Sequence, residues 1–151
     1  MAGHKPINSD NIPTELKALP QWVWWLGEPK SDGKLNKKPM DAKNGRAASH
    51  SKSAGIGFVF SAGDPYVGVD LDNCRNSETG EIEPWASEFI ELAKTYCEVS
   101  PSGTGVKMIL KGVMPSNKGR KKAYKTGAVE MYSHSRFFTI TGWQLEANDE
   151  D

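Results

Sequence analysis

The sequence predicts an α+β domain with several antiparallel strand pairs and few helices. Short apolar runs bounded by glycine, proline and asparagine recur along the chain. Only one segment has a clear helical repeat. Strands and helices do not alternate as they would in a doubly wound sheet. A length of 151 residues suits one domain with a single core. Hydrophobic residues at 37% and charged residues at 25% fit a soluble globular chain.

Residues 1–11 read as a flexible lead. Ile12–Leu19 reads as a short helix, with Pro13 near its first turn and Pro20 stopping it. Trp22–Leu26 is an apolar aromatic run, expected as a buried strand. After a turn at Pro29–Lys34, Lys37–Met40 returns as an edge strand, a place that suits Pro39. Asn44–Ala54 is a polar loop with an Asn44-Gly45 turn signal. Ile56–Phe60 and Tyr66–Asp72 are strands that a turn at Gly63–Pro65 would join as a hairpin. In Pro84–Tyr96, Trp85, Phe89, Leu92 and Tyr96 repeat at helical spacing. Glu98–Ser100 and Val106–Lys111 are further strands, and in the second Val106, Met108 and Leu110 oppose Lys107. Val113–Lys125 is expected as a basic loop, and Ala128–Tyr132 and Phe137–Thr141 as a last hairpin around Ser133–Ser135. Residues 12–143 form the folded domain on this reading, and residues 144–151 an acidic tail.

Charge and cysteine content narrow the function classes. Nineteen basic and nineteen acidic residues cancel, but unevenly. Lys107, Lys111, Lys118, Arg120, Lys121, Lys122 and Lys125 lie in one stretch that contains no acid. Such a stretch is either a solvated loop or a polyanion contact. No apolar run of about 18 residues exists and the N-terminus lacks a secretory pattern, so a cytoplasmic protein without membrane contact is expected. Cys74 and Cys97 have no metal-ligand spacing and read as reduced thiols. Nothing in the composition calls for an obligate oligomer, and a monomer is expected.

Gly68-Val-Asp-Leu-Asp72 carries the sharpest chemical signal. Residues two apart on a strand share a face, so Asp70 and Asp72 stand side by side while Val67, Val69 and Leu71 point into a core. Adjacent carboxylates repel unless a cation lies between them, which points to a divalent metal. The bland alternative is a strand running into a polar turn. Glu130 alternates with Val129 and Met131 and faces away from the core; if its strand neighbours Asp70 and Asp72, three hard oxygen ligands suited to Mg²⁺ or Mn²⁺ converge. Ser100–Lys107 packs hydroxyls and two glycines into a turn before a strand, a shape that lets backbone N–H groups meet an anion with Lys107 beside them. It is not a P-loop, because the spacing differs and no helix follows. Arg136 lies across the Ser133–Ser135 tip and is a further candidate for a phosphate; its alternative is a solvated loop arginine. His134 shares that tip and carries little weight. Trp22, Trp24 and Trp25 suit either base stacking or a core.

Taken together, Gly55–Phe60, Val67–Arg75, Val99–Gly105, Val129–Tyr132 and Arg136–Gly142 resemble the archaeo-eukaryotic primase superfamily, specifically the N-terminal catalytic domain of bifunctional primase-polymerases of phages, plasmids and other mobile elements. The matching pieces span most of residues 20–143. The resemblance implies a small N-terminal α/β unit packed on a mixed or antiparallel sheet like an RNA-recognition module, with residues 12–143 as the primase-polymerase catalytic domain. It implies metal-dependent addition of nucleotides to a 3′-hydroxyl, with Asp70, Asp72 and Glu130 as metal ligands in a two-metal site. Ser102, Gly103, Thr104, Lys107 and Arg136 fall where the incoming nucleoside triphosphate binds. Lys38, Lys118, Arg120, Lys121 and Lys122 are the basic residues expected along the DNA template or primer. The family usually has histidine where this chain has Lys107, a longer and more hydrated cation that bears on nucleotide affinity and sugar preference. Many relatives continue into a primase-associated or helicase domain, so primer extension is expected to exceed de novo priming here. The competing expectations are a non-catalytic single-strand-binding domain and a metal-dependent nuclease.

Overall fold

The computed structural model describes residues 6–40, 54–116 and 118–145. The polar loop expected at Asn44–Ala54 lies outside them, apart from its last residue. After a 3-10 turn at Ser9–Asn11 come α1 (Thr14–Lys17), β1 (Trp22–Pro29), β2 (Leu35–Met40), β3 (Ala54–Phe60), β4 (Tyr66–Asp72), α2 (Pro84–Ala93), β5 (Tyr96–Val99), β6 (Val106–Lys111), β7 (Arg120–Tyr124), β8 (Gly127–Tyr132) and β9 (Arg136–Ile140). The expected α+β class is what forms. The strands make a four-stranded sheet in the order β2-β1-β3-β9 and a five-stranded sheet in the order β5-β6-β4-β8-β7. All of these pairings are antiparallel. No helix among the described residues is long and apolar enough to cross a membrane.

Two expected hairpins are corners between sheets. β3 pairs with β1 and β9, whereas β4 pairs with β6 and β8. The connection bends sharply because Asp64 accepts hydrogen bonds from the Ser61 and Tyr66 amides at 2.9 and 2.8 Å. Likewise β8 and β9 flank Ser133–Ser135 but lie in different sheets. A short polar turn reports only a reversal of chain direction. Which strand lies alongside is decided by long-range burial.

That burial occurs in two layers. Ile12, Leu16, Phe58, Phe60, Tyr66, Ile109, Phe138 and Ile140 fill the space between the sheets. Their rings meet edge-on, Phe60 and Phe138 with centroids 5.0 Å apart, a favoured arrangement of aromatic quadrupoles. Gly68 permits this approach: a Cβ there would lie 2.5 Å from both rings. On the opposite face of the five-stranded sheet, Val69, Leu71, Cys74, Cys97, Val106 and Met108 pack under Trp85 and Ala86 of α2. Both cysteines are free thiols in this layer.

The helix expected to reach Tyr96 ends at Ala93. Lys94 takes a left-handed conformation (φ 45°) that turns the chain, and Tyr96 then opens β5. The stretch expected as a loop over Val113–Lys125 contains β7, which pairs with β8. Lysine and arginine hid this strand because all five of its residues are exposed, leaving no apolar alternation to read. At the chain ends, the Asn8 amide donates to the Thr141 carbonyl at 2.9 Å and the Leu145 amide to that of Cys97 at 2.9 Å.

Candidate metal and nucleotide site

The strand register creates a row of charge across the five-stranded sheet. Glu98 of β5 stands opposite Lys107 of β6, Lys107 opposite Asp70 of β4, Asp70 opposite Glu130 of β8, and Glu130 opposite Lys121 of β7. Directly opposed residues of an antiparallel pair project on the same face. Valines and methionines flanking them point to α2, so the charged side chains face the other way, as the alternation in β4, β6 and β8 predicts.

Asp70, Asp72 and Glu130 meet at the centre, each with a ligand oxygen within 4.8 Å of the others. One oxygen of Asp70, Oδ1, is buried with no hydrogen-bond partner. Burial is the main cause that raises the Asp70 carboxyl to about 6; the charges of Asp72 and Glu130 add to it, and Lys107 opposes it. Two further groups offset the crowding. The Tyr132 hydroxyl donates to Glu130 at 3.2 Å. The Lys121 ammonium contacts Glu130 Oε1 and lies 3.7 Å from Asp72 Oδ2. Lys121 is thus turned into the acidic cluster, whereas Arg120 and Lys122 pair in register with Met131 and Val129 and project from the other face. The basic stretch is therefore split between two faces of an edge strand. Lys118 is exposed, and Lys38 forms an exposed ion pair with Glu28 at 2.8 Å.

Lys107 is 8% exposed, unusual for a lysine. Its ammonium lies 4.9 Å from the centre of the Phe138 ring, a cation–π contact that partly replaces lost hydration. Two further charged groups near it were not singled out from the sequence. Glu98 is 1% exposed and accepts from the Thr141 and Gly142 amides at 2.8 and 2.9 Å and from the Tyr96 hydroxyl at 2.6 Å. It ties β5 to the chain leaving β9. Lys37 of β2 lies with its ammonium 5.3 Å from the Trp25 ring centre. Burial, then the charge of Lys107, lowers the Lys37 ammonium to about 8, while Asp70 and Asp72 pull the other way. No local motif marks either residue; the same-face pair Tyr96 and Glu98 is the nearest thing to a signal.

The Ser100–Gly105 turn sits at the end of the acidic strand. The Cys74 and Arg75 amides both donate to the Thr104 carbonyl, at 2.9 and 3.0 Å, and Arg75 Nη1 donates to the Gly103 carbonyl at 2.8 Å. Inside the turn the hydroxyls of Ser100, Ser102 and Thr104 form a chain with steps of 3.0 and 2.8 Å. Gly103 takes φ +78°, which a side chain would strain. Arg136 is exposed, with its guanidinium 4.7 Å over the Tyr132 ring, on the corner between the sheets. His134 shares that corner, its ring nitrogen Nδ1 3.0 Å from the Ser135 hydroxyl. Trp22 and Trp25 are structural: their indole N–H groups donate to the Leu16 and Ile56 carbonyls at 2.9 and 3.1 Å.

No family model matches the chain. Over 89% of its length it is 30% identical to a DNA primase-polymerase of Nitratiruptor phage NrS-1. The chain spans 21% of that relative's length. The similarity supports a family relationship with primase-polymerases.

Proposed function

We propose that this chain is the catalytic core of a DNA primase-polymerase, adding nucleotides to a 3′-hydroxyl on a nucleic-acid template. The observation that carries the reading is the convergence of Asp70, Asp72 and Glu130, from two paired strands, within 4.8 Å. The donor set fits divalent cations. It is all carboxylate, its central member has an orphaned buried oxygen, and a lysine ammonium already serves it as counter-charge. Mg²⁺ or Mn²⁺ held there as a pair would activate the attacking hydroxyl and neutralise charge on the leaving phosphates.

The chain's own residues supply the rest. Lys107, held beside Asp70 and backed by Phe138, presents a poorly hydrated positive charge to the triphosphate. Poor hydration strengthens that attraction, because less water must be displaced on binding. The Ser100–Gly105 turn offers the Ser102 and Thr104 hydroxyls and a Gly103 backbone without a Cβ. Arg136 adds a guanidinium suited to phosphate from the corner. Lys118 is exposed and available to strand phosphates, and Lys38 becomes so on leaving Glu28; Arg120 and Lys122, exposed on the opposite face of β7, would meet a strand that wraps that edge.

Primer extension with a labelled primer–template, Mn²⁺ or Mg²⁺ and nucleoside triphosphates tests this. The wild type extends the primer, and Asp70→Ala combined with Asp72→Ala does not. Extension surviving the double change refutes the metal assignment. Shortening of the primer indicates a nuclease, and a mobility shift alone a binding domain.

A further inference from the structure

The Lys121 ammonium occupies the side of the acidic cluster that a divalent ion would share. It touches Glu130 Oε1 and lies 3.7 Å from Asp72 Oδ2, while these two carboxylates and Asp70 are within 4.8 Å of one another. We propose that Lys121 is an exchange residue: it neutralises Asp72 and Glu130 in the ion-free protein, is displaced when a divalent cation takes their oxygens, and then binds a backbone phosphate of the nucleic-acid strand. This rests on the metal reading above.

Three features support it. First, a lysine and a divalent ion cannot share the same two oxygens, since like charges at contact distance repel. Second, Lys121 is free to leave. Its side chain is 61% exposed, on the edge strand β7, and among the described residues it pairs only with Glu130 and Asp72. Asp70 is the partner that stays behind, buried and already short of hydrogen bonds. Third, release leaves Lys121 without a counter-ion on the acidic face of an exposed edge strand, so its new counter-ion is an anion arriving from solvent along this edge. A strand phosphate is the anion the proposed reaction brings. Without Lys121 the three acids would repel each other, and an approaching strand, in the ion-free state. Cation binding and strand binding therefore favour each other through one side chain, and by linkage the coupling is reciprocal.

Two titrations of the whole chain test the proposal, neither using turnover. Mn²⁺ binding is measured by calorimetry for the wild type, Lys121→Gln and Lys121→Arg, with Lys125→Gln as a control for net charge. The Lys125 ammonium lies over the Tyr124 ring at 5.9 Å. Lys121→Gln is expected to bind Mn²⁺ about 5–10-fold more tightly, while Lys121→Arg and Lys125→Gln stay within about 2-fold of wild type. Binding of a fluorescent single-stranded oligonucleotide is then measured with and without Mn²⁺. The gain in affinity that Mn²⁺ gives the wild type is expected to shrink severalfold in Lys121→Gln. Equal Mn²⁺ affinity in wild type and Lys121→Gln overturns the exchange, as does an undiminished oligonucleotide gain in that variant. Failure of the wild type to bind Mn²⁺ at all overturns the metal reading itself and the exchange with it. A thermal melt of each variant confirms that the comparison is between folded proteins.

Discussion

Asp70→Asn should stabilise the ion-free protein while abolishing its metal response. Asp70 is held near 6 against an ordinary 3.8, chiefly by burial. The folded state therefore binds the proton more tightly than the unfolded chain. At a pH above both values Asp70 is ionised in both states, and about 2 units at 1.36 kcal/mol each amount to roughly 3 kcal/mol of destabilisation. The sign follows: stability contributed by protonated Asp70 is present below about pH 4 and is lost as pH rises through about 6. Asparagine removes the buried charge and can donate hydrogen bonds toward Asp72 and Glu130. Chemical denaturation in chelator at about pH 8 should show Asp70→Asn more stable by up to about 3 kcal/mol, or roughly 6–12 °C in Tm for a domain of this size. Near pH 4 the difference should collapse. Saturating Mn²⁺, at about 100 times Kd, should stabilise wild type by about 2.7 kcal/mol and the variant far less. A variant less stable than wild type at about pH 8 would refute the reading of Asp70 as a strained, cation-seeking carboxylate.

Three further outcomes follow from the packing. Gly68→Ala drives a Cβ to 2.5 Å from Phe60 and Phe138 and should cost about 1–3 kcal/mol by denaturant titration, because the rings between the sheets cannot retreat. Glu98→Ala strands two backbone N–H groups that the carboxylate now satisfies; at about 1–3 kcal/mol each it should lower stability by at least about 2 kcal/mol, read from the same titration. Burial pushes the Cys74 thiol up to about 11 and the Cys97 thiol up to about 12, so both should resist iodoacetamide near neutral pH in the native protein and react once denaturant is added, as mass spectrometry would count.

Much of the candidate site was legible before any tertiary contact was known. The alternation in Val67–Asp72, Val106–Leu110 and Val129–Met131 assigned each charged residue to a face, because the strand period of two is a local property of the backbone. Glu98 and Lys37 were not legible. Each is an ordinary charged residue in a short or polar strand, and its significance comes from neighbours far away in sequence. Lys121 was visible only as one of several cations. Its turn toward Glu130 depends on β7 being a strand, and an exposed edge strand leaves no hydrophobic trace.

The sequence by itself determined the α+β class, the central helix, and the face on which Asp70, Asp72, Lys107 and Glu130 stand. The tertiary structure alone decided that β4 lies between β6 and β8, and so brought those residues into one row. The two tight connections suggested hairpins, yet they became corners between sheets. The reason is physical: side-chain alternation and turn chemistry act over a few residues. Strand neighbours are chosen by which pairing buries Phe58, Phe60 and Phe138 on one side and Val69, Leu71 and Met108 on the other.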